Sequence, residues 1–210
     1  MPILVIGPQR TGTSLVAGIL QRLGVDMLVN PISPNAEYCE SDEWMRVCHA
    51  ICGDWHCPQF HYAEKPAIDA IHALVKKHED KMWGAKTAFF PLIGHMLVNL
   101  IPDVRVIRTT RTLELTVKSL LRRDRNIQPG VAEYIQKQAF AAVYLTDKAC
   151  ENNKTPTALI KYDDLLREPE KVINAISAFA LPEKTDITKA LELVDPLLRH
   201  FEEPDYGAVA

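Results

Sequence analysis

A loop suited to binding an anion lies near the start of the chain. Gly7 and Gly12 enclose four residues and are followed by Thr13 and Ser14, the spacing G-x-x-x-x-G-T-S. In nucleotide-binding P-loops this spacing lets free backbone N–H groups and a helix N-terminus cradle phosphate oxygens. A lysine usually occupies the position of Thr13, and Arg10 offers a positive side chain from within the loop instead. The segment therefore predicts an anion site whose charge comes from an unusual position.

The absence of a lysine at position 13 argues against one interpretation of this loop, an ATP-binding site. In kinases and NTPases that lysine holds the β- and γ-phosphates of ATP, so a conventional enzyme of that class is not predicted. A tight turn without a ligand is the other alternative. The context favours an anion site, because the loop joins a buried strand to the start of a helix, where the helix dipole attracts negative charge.

Local patterning predicts the two elements that hold the loop. The run at 3–6 is wholly apolar, which is typical of a strand covered on both faces of a parallel sheet. From Thr13 or Ser14, apolar residues recur at helical spacing until Gly24, a residue that favours the end of a helix. Strand, loop and amphipathic helix form the opening βα unit of a nucleotide-binding α/β fold.

The rest of the chain continues to alternate between strands and helices. Further helices are predicted at 42–52, 67–77, 89–100, 113–123, 131–151 and 170–181. Further strands are predicted at 82–86, 104–108 and 158–160, and the last two are expected to be core strands. This order predicts an α/β fold of the P-loop nucleotide-binding type, with three layers and helices on both faces of a parallel sheet. We expect residues 1–210 to form a single domain.

The composition is that of an ordinary globular protein. The 24 basic and 27 acidic residues give a formal charge of −3, and 47% of the residues are hydrophobic. Without an overall positive field, a dedicated nucleic-acid binder is not expected. No apolar run approaches the roughly 20 residues of a membrane span, and the N-terminus lacks the basic start of a signal peptide. The five cysteines, an odd number, then predict reduced thiols in the cytoplasm.

The loop resembles that of the sulfotransferases that use 3′-phosphoadenosine-5′-phosphosulfate. Their loop reads lysine or arginine, serine or threonine, glycine, threonine, and serine or threonine, and R-T-G-T-S at 10–14 matches every position. In that family the loop binds the 5′-phosphosulfate. The resemblance therefore implies cofactor contacts from Arg10, Thr11, Gly12, Thr13 and Ser14.

A second family signature is an arginine at a strand end, followed eight residues later by a serine on the next helix. Arg111 and Ser119 have this spacing, and the resemblance implies that they grip the 3′-phosphate. A guanidinium beside a hydroxyl suits that task, because both groups donate hydrogen bonds to a phosphate dianion. The alternatives are a surface salt bridge for Arg111 and an ordinary helix-surface position for Ser119.

Two further segments are similar to the family. The stretch W-G-A-K-T at 83–87 resembles a strand whose lysine faces the transferring sulfuryl group, which indicates Lys86. The stretch Y-D-D-L at 162–165, with Pro169, resembles a strand-to-helix corner that serves as scaffold. The matches span residues 3 to about 181 and are strongest to bacterial and phage-type members. A late R-K-G loop found in many members has no counterpart in the sequence.

The chemistry of sulfuryl transfer needs cations near the leaving oxygen and a base for the acceptor. Arg10 and Lys86 are the predicted cations. Many relatives carry a histidine two residues after the strand lysine, where this chain has Ala88. We expect Glu40 to be the base, because its surroundings resemble the G-Y-F-E-D stretch of bacterial relatives; a helix N-terminal acid is its alternative role. Weaker candidates are His49, His56 and His61.

Cysteines and histidines crowd the segment 39–61, but their spacing matches no recognised zinc site, so we expect no metal. The leading hypothesis is a sulfotransferase that acts on a small-molecule or carbohydrate acceptor, with 29–62 as the acceptor-site or lid region. An atypical P-loop kinase and a nucleotide-binding module without turnover are the alternatives, and the oligomeric state is open. Aromatic residues that could stack on the acceptor, or belong to the core, are Trp44, Trp55, Phe60 and Tyr62.

Overall fold

The computed structural model describes residues 1–34, 36–54, 57–58, 65–183 and 185–194. The strands are β1 (Pro2–Ile6), β2 (Gly53–Asp54), β3 (Cys57–Pro58), β4 (Trp83–Ala85), β5 (Arg105–Thr110) and β6 (Thr157–Lys161). The helices are α1 (Thr13–Arg22), α2 (Asp42–Cys52), α3 (Lys65–Lys77), α4 (Phe90–Leu100), α5 (Leu113–Arg123), α6 (Pro129–Asn153), α7 (Tyr162–Arg167), α8 (Pro169–Ala180) and α9 (Thr188–Leu191). A 3-10 turn spans Ala36–Tyr38.

Four of the strands form one parallel sheet in the order β4-β1-β5-β6. The short strands β2 and β3 form a separate antiparallel pair. The carboxyl ends of parallel strands lie along one edge of a sheet, so the residues that follow β1, β4, β5 and β6 come together there. Between β4 and β5 the chain passes from one side of β1 to the other, and such a switch in strand order opens a crevice at that edge.

Alternate residues of the central strand β1 face the two helical layers. Leu4 and Ile6 belong to a cluster with residues of α2, α3, α4 and α6, whereas Ile3 and Val5 pack with α1 and α8. All five residues of β1 are buried, because helices cover both faces of the strand. The predicted three-layer α/β architecture is confirmed.

The position of β6 differs from the predicted one. The sequence suggests a core strand at 158–160, but among the described residues β6 pairs with β5 alone and forms an edge of the sheet. Ile160 packs against the layer of α1 and α8, whereas Leu159, on the opposite face, is 60% exposed. A short apolar run predicts a strand but not its place in the sheet, which depends on how distant strands pair.

Side-chain caps mark the N-termini of α2 and α5. Helix α5 begins at Leu113 and ends at Arg123, as its periodicity predicts, and the side chain of Thr112 caps it by accepting from the backbone N–H of Leu115 at 3.4 Å. The sequence does not predict α7 or α9. These helices have six and four residues, too few to show an apolar period.

Candidate active site

The loop between β1 and α1 depends on two glycines. Gly12 has a φ of 88°, a left-handed conformation that glycine adopts without steric cost. A Cβ atom at this position would lie 2.3 Å from Cδ2 of Tyr162, and one at Gly7 would lie 2.0 Å from Oγ1 of Thr109. Arg10 also has a left-handed φ, of 67°, which is unfavourable for a residue with a side chain. The glycine spacing therefore lets the loop lie tightly against the ends of β5 and β6.

The first turn of α1 supplies backbone donors to this loop. Gly12 occupies the N-cap position, where it has no side chain to accept from the first N–H groups of the helix. The hydroxyl of Thr11 is used inside the loop: it donates to a loop carbonyl at 2.7 Å and lies 2.7 Å from Oγ1 of Thr109. Thr13 and Ser14 line the adjacent cavity. An uncapped helix N-terminus of this kind attracts anions.

Lys86 comes directly after β4 and is 5% exposed. Its Nζ donates to Oε1 of Glu40 at 2.8 Å, to Oγ of Ser14 at 3.1 Å and to the carbonyl of Tyr38 at 3.2 Å. Three acceptors match the three donors of an ammonium group. Burial lowers the pKa of Lys86, and the carboxylate of Glu40 opposes this effect. The fold thus brings two predicted catalytic residues into direct contact.

Glu40 precedes α2 without capping it. The N-cap is Ser41, whose Oγ accepts from the backbone N–H of Trp44 at 3.5 Å. Glu40 itself is 8% exposed, and its carboxylate lies against Lys86. The local sequence permits a role at the helix N-terminus, but the contact with Lys86 directs this side chain to the cavity.

Arg10 joins the loop to α5. Its Nε donates to Oγ of the buried Ser119 at 2.9 Å, across a separation of 109 residues. Burial lowers the pKa of Arg10, and the positive charges of Arg123 and Arg111 lower it further. The two predicted phosphate sites are therefore neighbours, connected by this side chain.

Arg111 follows β5, and its side chain is only 3% exposed. Its Nε lies 3.3 Å from Oδ1 of Asp163, and its Cζ lies 4.7 Å from the ring centroid of Tyr162. The same ring packs against Gly12. Tyr162 therefore connects Arg111 to the loop, and a surface salt bridge does not describe a side chain this buried.

The loop, Lys86 and Glu40 border a cavity of about 150 Å³. The predicted catalytic residues Arg10, Lys86 and Glu40 all line it. Arg111 and Ser119 are not among its lining residues, and Ser119 is connected to it through Arg10. The complete lining consists of Gly7, Gln9, Arg10, Thr13, Ser14, Tyr38, Glu40, Lys86, Ala88 and Arg123.

Other candidates lie away from the cavity or outside the described residues. Trp44 is fully buried, stacked with Trp83 and edge-on to Phe90, so it belongs to the core. The exposed His49 packs its ring against Phe89 and does not line the cavity. The candidates outside the described residues are Trp55, His56, Phe60, His61 and Tyr62.

Cys39, Cys48, Cys52 and Cys150 are free thiols. Cys48 and Cys52 lie in α2, and burial raises the pKa of both thiols, that of Cys52 to about 11. Within the described ranges, no group of three or more His, Cys, Asp or Glu side chains is arranged to hold a metal ion. None of the described helices combines the length and the apolar character needed to cross a bilayer.

The overall fold matches those of solved bacterial sulfotransferases. A sulfotransferase from Mycobacterium tuberculosis aligns with a TM-score of 0.61 and 15% identity, over 92% of this chain and 70% of that one. The chain has the sulfotransferase fold. The sulfotransferase domain of the curacin biosynthetic pathway aligns with a TM-score of 0.59 and 13% identity, over 93% of this chain and 78% of that one. The sulfotransferase domain of the Synechococcus olefin synthase aligns with a TM-score of 0.54 and 19% identity, over 91% of this chain and 75% of that one. No protein-family model matches the chain, and no curated protein matches its sequence.

In this sulfotransferase-fold protein, three cavity residues from outside the loop add to the predicted set. Ala88 lines the wall at the position where many sulfotransferases have a histidine. Tyr38 and Arg123 line it together, with Cζ of Arg123 4.6 Å from the ring centroid of Tyr38. The basic run at 122–125 is the sequence signal that indicates Arg123, whereas no local pattern marks Tyr38.

Proposed function

We propose that this protein is a sulfotransferase that transfers a sulfuryl group from 3′-phosphoadenosine-5′-phosphosulfate to a hydroxyl or amine of an acceptor. One observation carries the proposal: Lys86 contacts both Glu40 and Ser14, so a buried cation joins a carboxylate to the first turn of α1. The sulfotransferase fold of the chain supports it. So does the convergence of the segments at 10–14, 83–87 and 111–119, which resemble the family's motifs: Lys86 contacts Ser14, and Arg10 contacts Ser119.

The residues present fit the charged ends of this co-substrate. The N-terminus of α1 and the guanidinium of Arg10 offer hydrogen-bond donors to a phosphosulfate. Arg111 and Ser119 are the proposed ligands of the 3′-phosphate, and both are buried. Burial lowers the local dielectric constant, which strengthens an ionic hydrogen bond made there.

The proposed reaction assigns a role to each catalytic side chain. The acceptor atom bonds to sulfur while the bond from sulfur to the 5′-phosphate oxygen breaks and leaves its electron pair on that oxygen. Lys86 and Arg10 stabilise the negative charge that develops there. Glu40 accepts the proton that the acceptor loses. Nζ of Lys86 donates to Oε1 of Glu40 at 2.8 Å, so the base is oriented before the acceptor binds.

The alternatives are less consistent with the contacts. A P-loop kinase needs a lysine where this chain has Thr13, and an acid that helps to bind Mg²⁺. The first acid after β6 is Asp163 in α7, which lies beside the guanidinium of Arg111. A binding module without turnover has no use for the ion pair of Lys86 and Glu40, which is costly to bury.

We also propose that the segment 29–62 contributes to the acceptor side of the site. Tyr38 and Glu40 belong to it and line the cavity. Residues 35, 55–56 and 59–62 lie outside the described residues. A small-molecule or carbohydrate acceptor is proposed, since the base and the loop face a cavity of about 150 Å³.

Nucleotide binding is the first test. We expect 3′-phosphoadenosine-5′-phosphate to raise the melting temperature more than ADP, or ATP with Mg²⁺, because only the first carries the 3′-phosphate that Arg111 and Ser119 are proposed to bind. Arg111→Ala should abolish this preference. Equal stabilisation by all three nucleotides, or stabilisation by ATP with Mg²⁺ alone, would contradict the proposal.

Transfer is the second test, with labelled co-substrate and a panel of hydroxyl and amine acceptors. Glu40→Gln keeps the shape of the side chain but removes the base, so we expect nucleotide binding to persist and transfer to fall by roughly 10²- to 10⁴-fold. Glu133→Gln is the matched control, because Glu133 is an exposed residue of α6 paired with Lys137. Wild-type transfer by Glu40→Gln would refute the role of Glu40.

A further inference from the structure

The last residue of α5 faces the cavity. Arg123 lies four residues after Ser119, so the two side chains share one face of the helix. Ser119 accepts from Arg10, and Arg123 lines the cavity one turn further along. Arg122 and Arg125 are also exposed near this helix end, but neither lines the cavity. Of these three arginines, Arg123 is the one whose side chain lines the cavity.

Tyr38 holds two of the cavity's cations. Cζ of Arg123 lies 4.6 Å from the centroid of its ring, within the range of a cation–π contact. The backbone carbonyl of the same residue accepts from Nζ of Lys86 at 3.2 Å. Since Glu40 follows two residues later, the 3-10 turn joins Arg123, Lys86 and Glu40 into one wall.

The cavity carries an excess of positive charge. Its charged lining residues are Arg10, Lys86 and Arg123, against the single carboxylate of Glu40. Burial lowers the pKa of Arg10 and that of Lys86, and the charge of Arg123 lowers both further. Cations this close repel one another, and an oxyanion with two negative charges among them removes the repulsion. A phosphosulfate group has this charge, one on its phosphate and one on its sulfate.

We propose that Arg123 binds the sulfuryl group of the co-substrate and that Tyr38 positions it. This inference rests on the proposed function. In an in-line transfer the sulfuryl group lies between the phosphate, assigned to the loop and Arg10, and the acceptor, assigned to Glu40. Arg123 lines the same cavity as Arg10 and Glu40, and its guanidinium contacts the ring of Tyr38 in the turn that leads to Glu40. Arg123 therefore lies in the cavity that this line crosses.

Calorimetry with two nucleotides tests the role of Arg123. 3′-Phosphoadenosine-5′-phosphosulfate carries the sulfuryl group and 3′-phosphoadenosine-5′-phosphate lacks it, so their affinity ratio, measured without acceptor, reports on contacts to that group. We expect Arg123→Ala to weaken binding of the first by roughly 10- to 100-fold and that of the second much less. Arg123→Lys should keep part of the ratio, because it retains the charge but not the planar fork.

The matched control is Arg125→Ala, which removes the same charge from an exposed position outside the cavity. It should leave both affinities unchanged. If Arg123→Ala leaves the affinity ratio at the wild-type value, whether or not both nucleotides bind more weakly, the proposed contact is refuted. If the wild-type protein binds neither nucleotide, the proposed function itself fails and this inference with it.

Tyr38 is a positioning residue, and conservative replacement isolates that role. Tyr38→Phe keeps the ring beneath Arg123 and should preserve the affinity ratio. Tyr38→Ala removes the ring and should lower the ratio in the same direction as Arg123→Ala. An unchanged ratio in a folded Tyr38→Ala variant, checked by circular dichroism, would overturn the positioning role while leaving that of Arg123.

Discussion

Removing Lys86 should destabilise the protein far more than removing an exposed lysine of an ion pair. The side chains of Lys86 and Glu40 are 6% and 10% exposed, with Nζ and Oε1 2.8 Å apart. Lys86→Met leaves a carboxylate buried without its cation, and such a loss costs about 3–5 kcal/mol of unfolding free energy. In a chain of 210 residues, each kcal/mol lowers the melting temperature by about 2–4 °C. We therefore expect a decrease of about 6–20 °C.

Two further variants identify the source of this loss. Glu40→Gln also leaves a buried charge without its partner, but it should cost less than Lys86→Met, because Lys86 keeps its contacts with Ser14 and Tyr38. The double variant Lys86→Met/Glu40→Gln should be more stable than Lys86→Met alone, because no uncompensated charge remains. The matched control is Lys81→Met, which breaks an ion pair with Asp26 whose side chains are 46% and 48% exposed. It should cost no more than about 1 kcal/mol.

Urea unfolding at neutral pH, followed by circular dichroism and extrapolated to water, measures these differences. A loss of less than about 1 kcal/mol for Lys86→Met would show that the pair is no stronger than a surface one. A double variant whose loss equals the sum of the two single losses would show that Lys86 and Glu40 do not interact. Either result would refute the reasoning that a desolvated carboxylate depends on Lys86.

Three other predictions concern backbone strain, thiol reactivity and acid stability. Gly12→Ala should destabilise the protein more than Gly24→Ala, because both positions have a left-handed φ but only at Gly12 would the new Cβ clash; equal losses in urea unfolding would contradict this. Cys52, whose pKa is raised to about 11 by burial, should resist iodoacetamide at pH ~8 in the native state and react in urea, as followed by peptide mass spectrometry. The pKa of Glu43 lies below its ordinary 4.5, chiefly because Lys77 donates to it. Its stabilising contribution is therefore present above that value and lost as pH falls through the lowered pKa, so Glu43→Gln should flatten the acid side of the stability curve.

The sequence by itself determined the parts of this protein that depend on neighbouring residues. The spacing of Gly7 and Gly12 predicts the loop, and the apolar period at 113–123 gives the bounds of α5 as the structure has them. These features follow from φ preferences, caps and side-chain periodicity, which act over one or two turns of chain. Resemblance added the pairing of Arg111 with Ser119, whose roles in binding stay predictions.

The tertiary structure alone decided which side chains meet. Lys86 and Glu40 are 46 residues apart, and Arg10 and Ser119 are 109 apart, so no local pattern predicts either contact. The same holds for Tyr38, which joins the site through its ring and its carbonyl. The order β4-β1-β5-β6 aligns the carboxyl ends of distant segments along one edge of the sheet, and it also leaves Leu159 exposed on the outer strand. Strand order results from packing across the whole sheet, and for that reason the site exists only in the folded chain.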